Sequence, residues 1–260
     1  MSYQFLKKQV YVNEQKIFYL EGGTASKSEL ILFLHGWGVG IQPYQEVLNV
    51  LCKHYQLIAP ELPGFNKSSG TTLNWDYDKY AKFIIAFMQR LNIKKAHFIG
   101  HSLGGGIAAN IAALMPDFVE SLILVDSTGI PVKPLPLVFV HRAIEMTAQV
   151  PHIKFPQIFQ MFQAYYYNFL LRSYNTIQTL LMSLKKDLKP ILPKIESPCL
   201  LIWGANDFTT PISAAQEFSR LIKGSKLIVV PGVYHDWSIL FVDKFTTLVF
   251  DFLDEITGRK

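Results

Sequence analysis

Cysteine is nearly missing: two occur in 260 residues, Cys52 and Cys199. Two distant thiols in a chain this long do not make a disulfide framework. That excludes the small secreted scaffolds and predicts two buried structural thiols and a cytoplasmic location. Charge is scarce as well, at 17% of residues against about a quarter in ordinary domains. With half of the residues hydrophobic, a disordered chain is excluded and a sizeable core is expected. No apolar run reaches the roughly 18 residues of a transmembrane span. Residues 1–8 lack the order of charge, apolar stretch and small-residue site that marks a secretory signal. There are no internal repeats and no low-complexity segment. No cluster of histidine, cysteine and acid has metal-ligand spacing, and the glycines after position 102 do not form a P-loop. No metal or other cofactor is therefore expected, and no nucleic-acid motif is present.

What is present is an alternation of strand-like and helix-like stretches. Residues 7–21 read as a hairpin turning at Asn13-Glu14. Residues 30–34, Leu-Ile-Leu-Phe-Leu, are continuously apolar, as in a strand buried on both faces. A helix is expected from Pro43, a strand at 57–59, and a helix carrying Tyr80, Ile84, Phe87 and Leu91 on one stripe. Strands at 96–99 and 121–125 flank a helix-prone, alanine-rich run ending near Pro116. After Asp126 the rhythm breaks. From Pro131 to Lys194 the pattern is helical, aromatic and free of strands. Alternation then resumes with strands at 200–203 and 227–230 and a helix after each.

This order predicts an α/β fold: a mostly parallel central sheet with helices on both faces. Residues 1–130 and 195–260 would form one core domain, and residues 131–194 an inserted helical cap, or lid. Functional loops of such a sheet lie at the carboxyl ends of its strands, so the loops after residues 34, 101, 125, 203 and 230 should share one edge.

One of these loops is Gly100-His101-Ser102-Leu103-Gly104, between a strand and a helix. A sharp turn there brings strand and helix backbones together, so glycines two residues either side of the serine make physical sense, and Ser102 is pushed out as a nucleophile. An alcohol is a weak nucleophile at neutral pH and needs a base with a carboxylate to orient it. His235 sits in the exit loop of the last strand and Asp207 in that of the strand before it. The order serine, acid, histidine is that of the nucleophile-elbow enzymes. Asp126, also at a strand end, is the rival acid. The other histidines, His101 and His35 among them, read as structural, and Asp236 as a solvated neighbour of His235. The oxyanion of a tetrahedral intermediate needs N–H donors. The residue after the nucleophile, Leu103, should supply one, and Trp37, in the His35-Gly36-Trp37-Gly38 loop, the other.

Taken together, His-Gly-Trp-Gly at 35–38, Leu62-Pro63-Gly64-Phe65, Gly-His-Ser-Leu-Gly-Gly at 100–105, the Gly204…Asp207 loop and the terminal His235 span nearly the whole chain. In these motifs it resembles the α/β-hydrolase superfamily, in particular its capped, cofactor-free serine esterases and lipases. The resemblance implies a serine hydrolase that cleaves carboxylic esters through an acyl-enzyme on Ser102, its substrate a small ester with an apolar acyl group. Capped relatives also include carbon–carbon bond hydrolases acting on vinylogous diketones, the second enzymatic expectation. Those share a tryptophan near the catalytic histidine, here Trp237, but usually carry asparagine where this chain has His101. A non-catalytic small-molecule binding protein on the same fold is the third. Glu61 and Asn66 depart from the aspartate and glycine common around the Leu-Pro-Gly turn.

Residues 131–194 hold eight cations, Lys133, Lys154, Lys185, Lys186, Lys189, Lys194, Arg142 and Arg172, against Glu145 and Asp187. The chain as a whole is +5, so its positive charge is concentrated in this segment. A solvated face is one expectation. The other is an anionic partner, either an acidic carrier protein or an anionic lipid surface.

Overall fold

The computed structural model describes residues 5–23, 29–69, 75–131, 135–152 and 155–259. Its strands are β1 (Leu6–Val12), β2 (Gln15–Gly22), β3 (Leu30–Leu34), β4 (Gln56–Pro60), β5 (Ala96–His101), β6 (Val119–Val125), β7 (Cys199–Gly204) and β8 (Lys226–Val230). They form an 8-stranded sheet in the order β1-β2-β4-β3-β5-β6-β7-β8. β1–β2 and β2–β4 are antiparallel, and every pair from β4 onward is parallel. Asn13 and Glu14, where the first hairpin turns, both have positive φ, 47° and 64°. That is the mirror-image turn whose twist matches the flanking strands.

The helices are α1 (Gln45–Leu51), α2 (Tyr77–Arg90), α3 (Leu103–Leu114), α4 (Leu135–Gln149), α5 (Phe155–Leu171), α6 (Ser173–Lys185), α7 (Ile212–Leu221), α8 (Trp237–Leu240) and α9 (Val242–Thr257). The two-residue period of the strands divides the core into two layers. Leu32 and Leu34 of β3 join Phe98, Leu124 and Trp203 in the layer covered by α2, α3 and α7. Ile31 and Phe33 join Ile99, Ile123 and Ile202 in the layer covered by α1, α8 and α9. α2 begins where the Asp76 carboxylate accepts the Lys79 N–H at 3.0 Å, a side-chain N-cap. α9 stops at Gly258, in left-handed conformation at φ 69°.

The expected strands and sheet helices all form, and the loops after β3, β5, β6, β7 and β8 converge on one edge of the sheet. Between β6 and β7 the chain is helical, made of α4, α5 and α6 with short 3₁₀ turns. Lys133 and Lys154 lie outside the described residues. Cys52 and Cys199 are buried thiols that form no disulfide, and burial pushes the Cys199 thiol pKa up. Among the described residues no helix is long and apolar enough to cross a membrane.

Candidate active site

Ser102 sits between β5 and α3 with φ 52° and ψ −115°, a strained backbone for a residue with a side chain. The surroundings enforce it. A Cβ on Gly100 would lie 2.4 Å from the Gly104 carbonyl oxygen, and one on Gly104 would lie 2.2 Å from that of Leu34. Strand and helix can pass this closely only with glycine at both positions. The turn is tied down by the Ser102 N–H donating to the Val125 carbonyl at 2.9 Å. Its own carbonyl accepts from the Thr128 N–H and hydroxyl, both at 3.1 Å.

The three sequence-predicted side chains meet. His235 Nε2 lies 3.0 Å from Ser102 Oγ, and its Nδ1 lies 2.8 Å from Asp207 Oδ2. Asp207 is fixed in turn by the Thr209 and Thr210 N–H groups, which donate to Oδ1 at 2.8 and 2.7 Å. The Thr210 hydroxyl reaches Oδ2 at 2.7 Å. Burial opposes charge on both members of the pair. Their mutual attraction outweighs it, so Asp207 is held below the ordinary carboxylate range and His235 above the ordinary imidazole value.

Asp126, the rival acid, faces elsewhere. Its Oδ1 accepts the Gly204 N–H at 2.8 Å and its Oδ2 the Trp237 indole N–H at 2.7 Å. Burial, and then the negative charge of Asp207, push its pKa well above the usual value. Asp126, Asp207 and His235 are the one trio of potential metal ligands brought together among the described residues. The hydrogen bonds above already engage all three. His101 spans the site from behind, its Nδ1 2.6 Å from the Tyr44 hydroxyl and its Nε2 3.0 Å from the His235 carbonyl. Burial lowers its pKa to about 4, so it holds the His235 backbone as a neutral ring. His35 is likewise lowered to about 4 by burial and accepts the Leu62 N–H at 2.9 Å.

Trp37 borders the same cavity as Ser102 and His235. Its indole N–H donates to the Thr176 carbonyl of α6 at 2.7 Å, while the Gly36 N–H is taken by the Tyr44 hydroxyl at 3.1 Å. Leu103 opens α3 directly after the serine. Glu61 and Asn66, the two departures from the resemblance, are partners. Asn66 donates to Glu61 Oε1 at 2.8 Å, and that oxygen also accepts the Ile41 N–H at 3.2 Å. Burial raises the Glu61 pKa to about 7, and among the described residues no cation offsets it.

The reading of Asp236 as a solvated neighbour is corrected. It is buried and bound by Arg142 of α4 at 2.6 Å, and the pair lines the cavity. Burial raises the Asp236 pKa, but Arg142 and His235 more than reverse it, and the net shift is downward. Two more α4 residues, one and two turns on, complete the contact. Glu145 accepts the Thr209 N–H at 3.0 Å and hydroxyl at 2.5 Å, and the Phe208 N–H as well. Gln149 accepts the Asp236 N–H at 3.2 Å. α4 therefore grips both the acid loop and the histidine loop. α5 grips the loops after β3 and β4: Asn168 donates to the Gly38 carbonyl at 2.9 Å and accepts the Asn66 N–H at 2.8 Å. These wall residues were missed in the sequence. The available signal was the i, i+3, i+7 polar stripe of Arg142, Glu145 and Gln149, with Glu145 and Asp187 the segment's two acids.

The cavity at Ser102 has a volume of about 80 Å³ and mixes apolar walls (Val39, Leu180, Leu184) with the Arg142–Asp236 pair. A larger cleft of about 530 Å³ lies against β1, β2 and α5, away from Ser102 and without a nucleophile–base pair in its lining. It is at the smaller space that a hydroxyl, an imidazole and a carboxylate hydrogen-bonded to it converge.

Residues 29–183 match the family model of the alpha/beta hydrolase fold. The chain is 25% identical to a 2-hydroxy-6-oxo-6-phenylhexa-2,4-dienoate hydrolase of Burkholderia cepacia, over 97% of this chain and 98% of that protein. It is also 25% identical to a bacterial membrane phospholipase A, with a TM-score of 0.84 over 97% of this chain and 87% of the other. An enol-lactonase from Burkholderia xenovorans, 19% identical, shares the fold with a TM-score of 0.82, over 95% and 99% of the two chains.

Proposed function

The chain belongs to the alpha/beta hydrolase fold family, and from that premise we propose a serine hydrolase that cleaves neutral carboxylic esters through an acyl-enzyme on Ser102. The observation that carries this reading is the continuous relay from Ser102 Oγ to His235 at 3.0 Å and on to Asp207 at 2.8 Å, bordering a small cavity. His235 takes the Ser102 proton as Oγ attacks the ester carbonyl. The negative charge on the carbonyl oxygen is held by the backbone N–H groups of Trp37 and Leu103. On collapse, His235 returns the proton to the departing alkoxide. A water, deprotonated by the same imidazole, then releases the acid and restores Ser102. Asp207 orients the ring and stabilises its cationic form throughout. Residues 131–194 act as the cap over this chemistry.

The preference for a neutral acyl ester rests on charge. The cavity's cation, Arg142, is already neutralised by Asp236 at 2.6 Å and sits 3.4 Å from Glu145. A substrate carboxylate would have to displace one of them. The phospholipase A relative, at 25% identity, is by definition an ester-cleaving enzyme. The second reading, hydrolysis of a carbon–carbon bond, is favoured by the full-length similarity to the dienoate hydrolase. Its substrate, by name, carries a carboxylate. A panel of p-nitrophenyl esters, thioesters and one vinylogous diketone acid separates the two. Ester turnover that vanishes in Ser102→Ala supports the first. Turnover of the diketone acid alone, equally dependent on Ser102, moves the function to the second.

A further inference from the structure

Among the described residues, the helices between β6 and β7 turn several polar side chains inward and large apolar ones outward. On α4 the stripe turned to the protein is Arg142, Glu145 and Gln149, while Leu137, Val140 and Ile144, at the same i, i+3, i+7 spacing, are exposed. On α5 the buried positions include Asn168, and the exposed stripe is Phe159, Phe162 and Tyr166, at 62%, 67% and 60% exposure. On α6, which packs on α5, Thr176, Thr179 and Ser183 are buried while Tyr174 and Ile177 are exposed. A surface helix ordinarily turns its apolar stripe to the core. Three neighbouring helices doing the reverse place large apolar and aromatic side chains in water, the mark of a surface that meets something apolar.

Charge indicates what that is. From residue 146 to residue 186 there is no aspartate or glutamate. In the same stretch Arg172 stands between α5 and α6, and Lys185 and Lys186 are exposed at the end of α6. Arg172 reaches back to the Ser68 carbonyl at 3.2 Å, and Lys186 lies 3.9 Å from Asp76, so Lys185 is the least engaged of the three. Exposed aromatics and leucines along a stretch free of acids, with cations at its border, are the composition of helices that lie in the headgroup region of anionic bilayers. An acidic protein partner would use the cations but leave the Phe159–Phe162–Tyr166 stripe in water. A second copy of the chain would bring cation against cation.

We propose that the outer face of α5 and α6 docks on an anionic phospholipid surface, with the aromatic stripe of α5 seated among the headgroups and Lys185 and Lys186 on the lipid phosphates. None of these five residues lines the cavity at Ser102. Docking and hydrolysis are therefore separable properties, and this inference stands or falls apart from the substrate.

The test is flotation of the full chain carrying Ser102→Ala with vesicles of phosphatidylcholine alone or with phosphatidylglycerol added. The expected result is binding to the mixed vesicles only. Phe162→Ser should weaken it about tenfold, as loss of one buried aromatic implies, and Lys185→Gln about fivefold. An unchanged thermal melt for each variant shows that the fold is intact. The proposal is overturned if the parent fails to float with either lipid, or if it floats equally with both. It is also overturned if Phe162→Ser floats as well as the parent. A dimer in analytical ultracentrifugation that Phe162→Ser dissociates, with no vesicle binding, would overturn it in favour of a second copy. Capture by an acidic carrier protein without vesicle binding would do so in favour of that partner.

Discussion

Along β3, Ile31 and Phe33 enter one apolar layer and Leu32 and Leu34 the other, whereas along α4 the buried stripe is Arg142, Glu145 and Gln149. The sheet region closes by removing apolar area from water; the loops of Ser102, Asp126 and Asp207 are carried on strands buried on both faces, and that of His235 on the half-exposed edge strand β8. The helical region between β6 and β7 attaches to those loops by hydrogen bonds and ion pairs. The two regions also treat a buried acid differently. Glu61, in the loop after β4, has no cation beside it among the described residues, and its pKa rises to about 7. Asp236, in the loop after β8, is met by Arg142 from the helical region, and its pKa falls. The apolar core sets where the loops are. The polar wall sets the charge inside the cavity, and such a wall can be loosened without unfolding the sheet.

The largest expected effect breaks the sheet side. Asp207→Asn should lower kcat by roughly 10⁴-fold, by analogy with the serine-protease aspartate. Asp126→Asn should cost far less, because Asp126 bonds Gly204 and Trp237 rather than His235. Steady-state kinetics on one ester with both variants checks this, and the reverse ranking would make Asp126 the orienting acid.

Next comes the unpaired acid. A carboxyl whose pKa is about 4.5 unfolded and about 7 folded retains its proton longer in the native state. Folding stability therefore declines as pH rises from 4.5 towards 7, by about 3 kcal/mol in all. Glu61→Gln should remove that decline, raising stability over the parent at pH 8 and changing little at pH 4. Urea unfolding at the two pH values checks it.

Breaking the wall should do less to the fold. Arg142→Met leaves Asp236 without its cation, and because Arg142 is about one-fifth exposed the expected loss is about 2 kcal/mol, below the range for fully buried pairs. Arg142→Met with Asp236→Asn should be milder than Arg142→Met alone, a non-additivity that thermal melts of the three variants would reveal.

The smallest effect is on the pH profile. His235 must be neutral to act as base, and its pKa is raised, so kcat/KM should fall as pH drops through a limb above 6.5. Asp207 causes most of that rise and Asp236 adds to it, so Asp236→Asn should move the limb to lower pH.

The sheet was legible because its signals are local. Residues 30–34 and 200–203 are apolar without interruption, and Asn13-Glu14 marks a turn. The meeting of Ser102, His235 and Asp207 was legible one step further, since strand ends of a parallel sheet converge on one edge and each residue follows a strand. Asp236 was not. Its partner Arg142 precedes it by almost the full length from α4 to β8, and an aspartate beside a loop histidine looks solvated unless that helix is known to cover it. The direction in which α4, α5 and α6 face was hidden for the same reason. Periodicity reports that a helix has two unlike faces, while which face is buried depends on the carbonyls, amides and charges already exposed at the sheet edge.

The central claim is that Ser102, activated by His235 and Asp207, is the nucleophile of this chain. Intact-protein mass spectrometry after reaction with a fluorophosphonate tests it most directly. One phosphonyl adduct is expected, mapped to Ser102, absent in Ser102→Ala and formed far more slowly in Asp207→Asn. No adduct, or an adduct that persists at the same rate in Ser102→Ala, would contradict it.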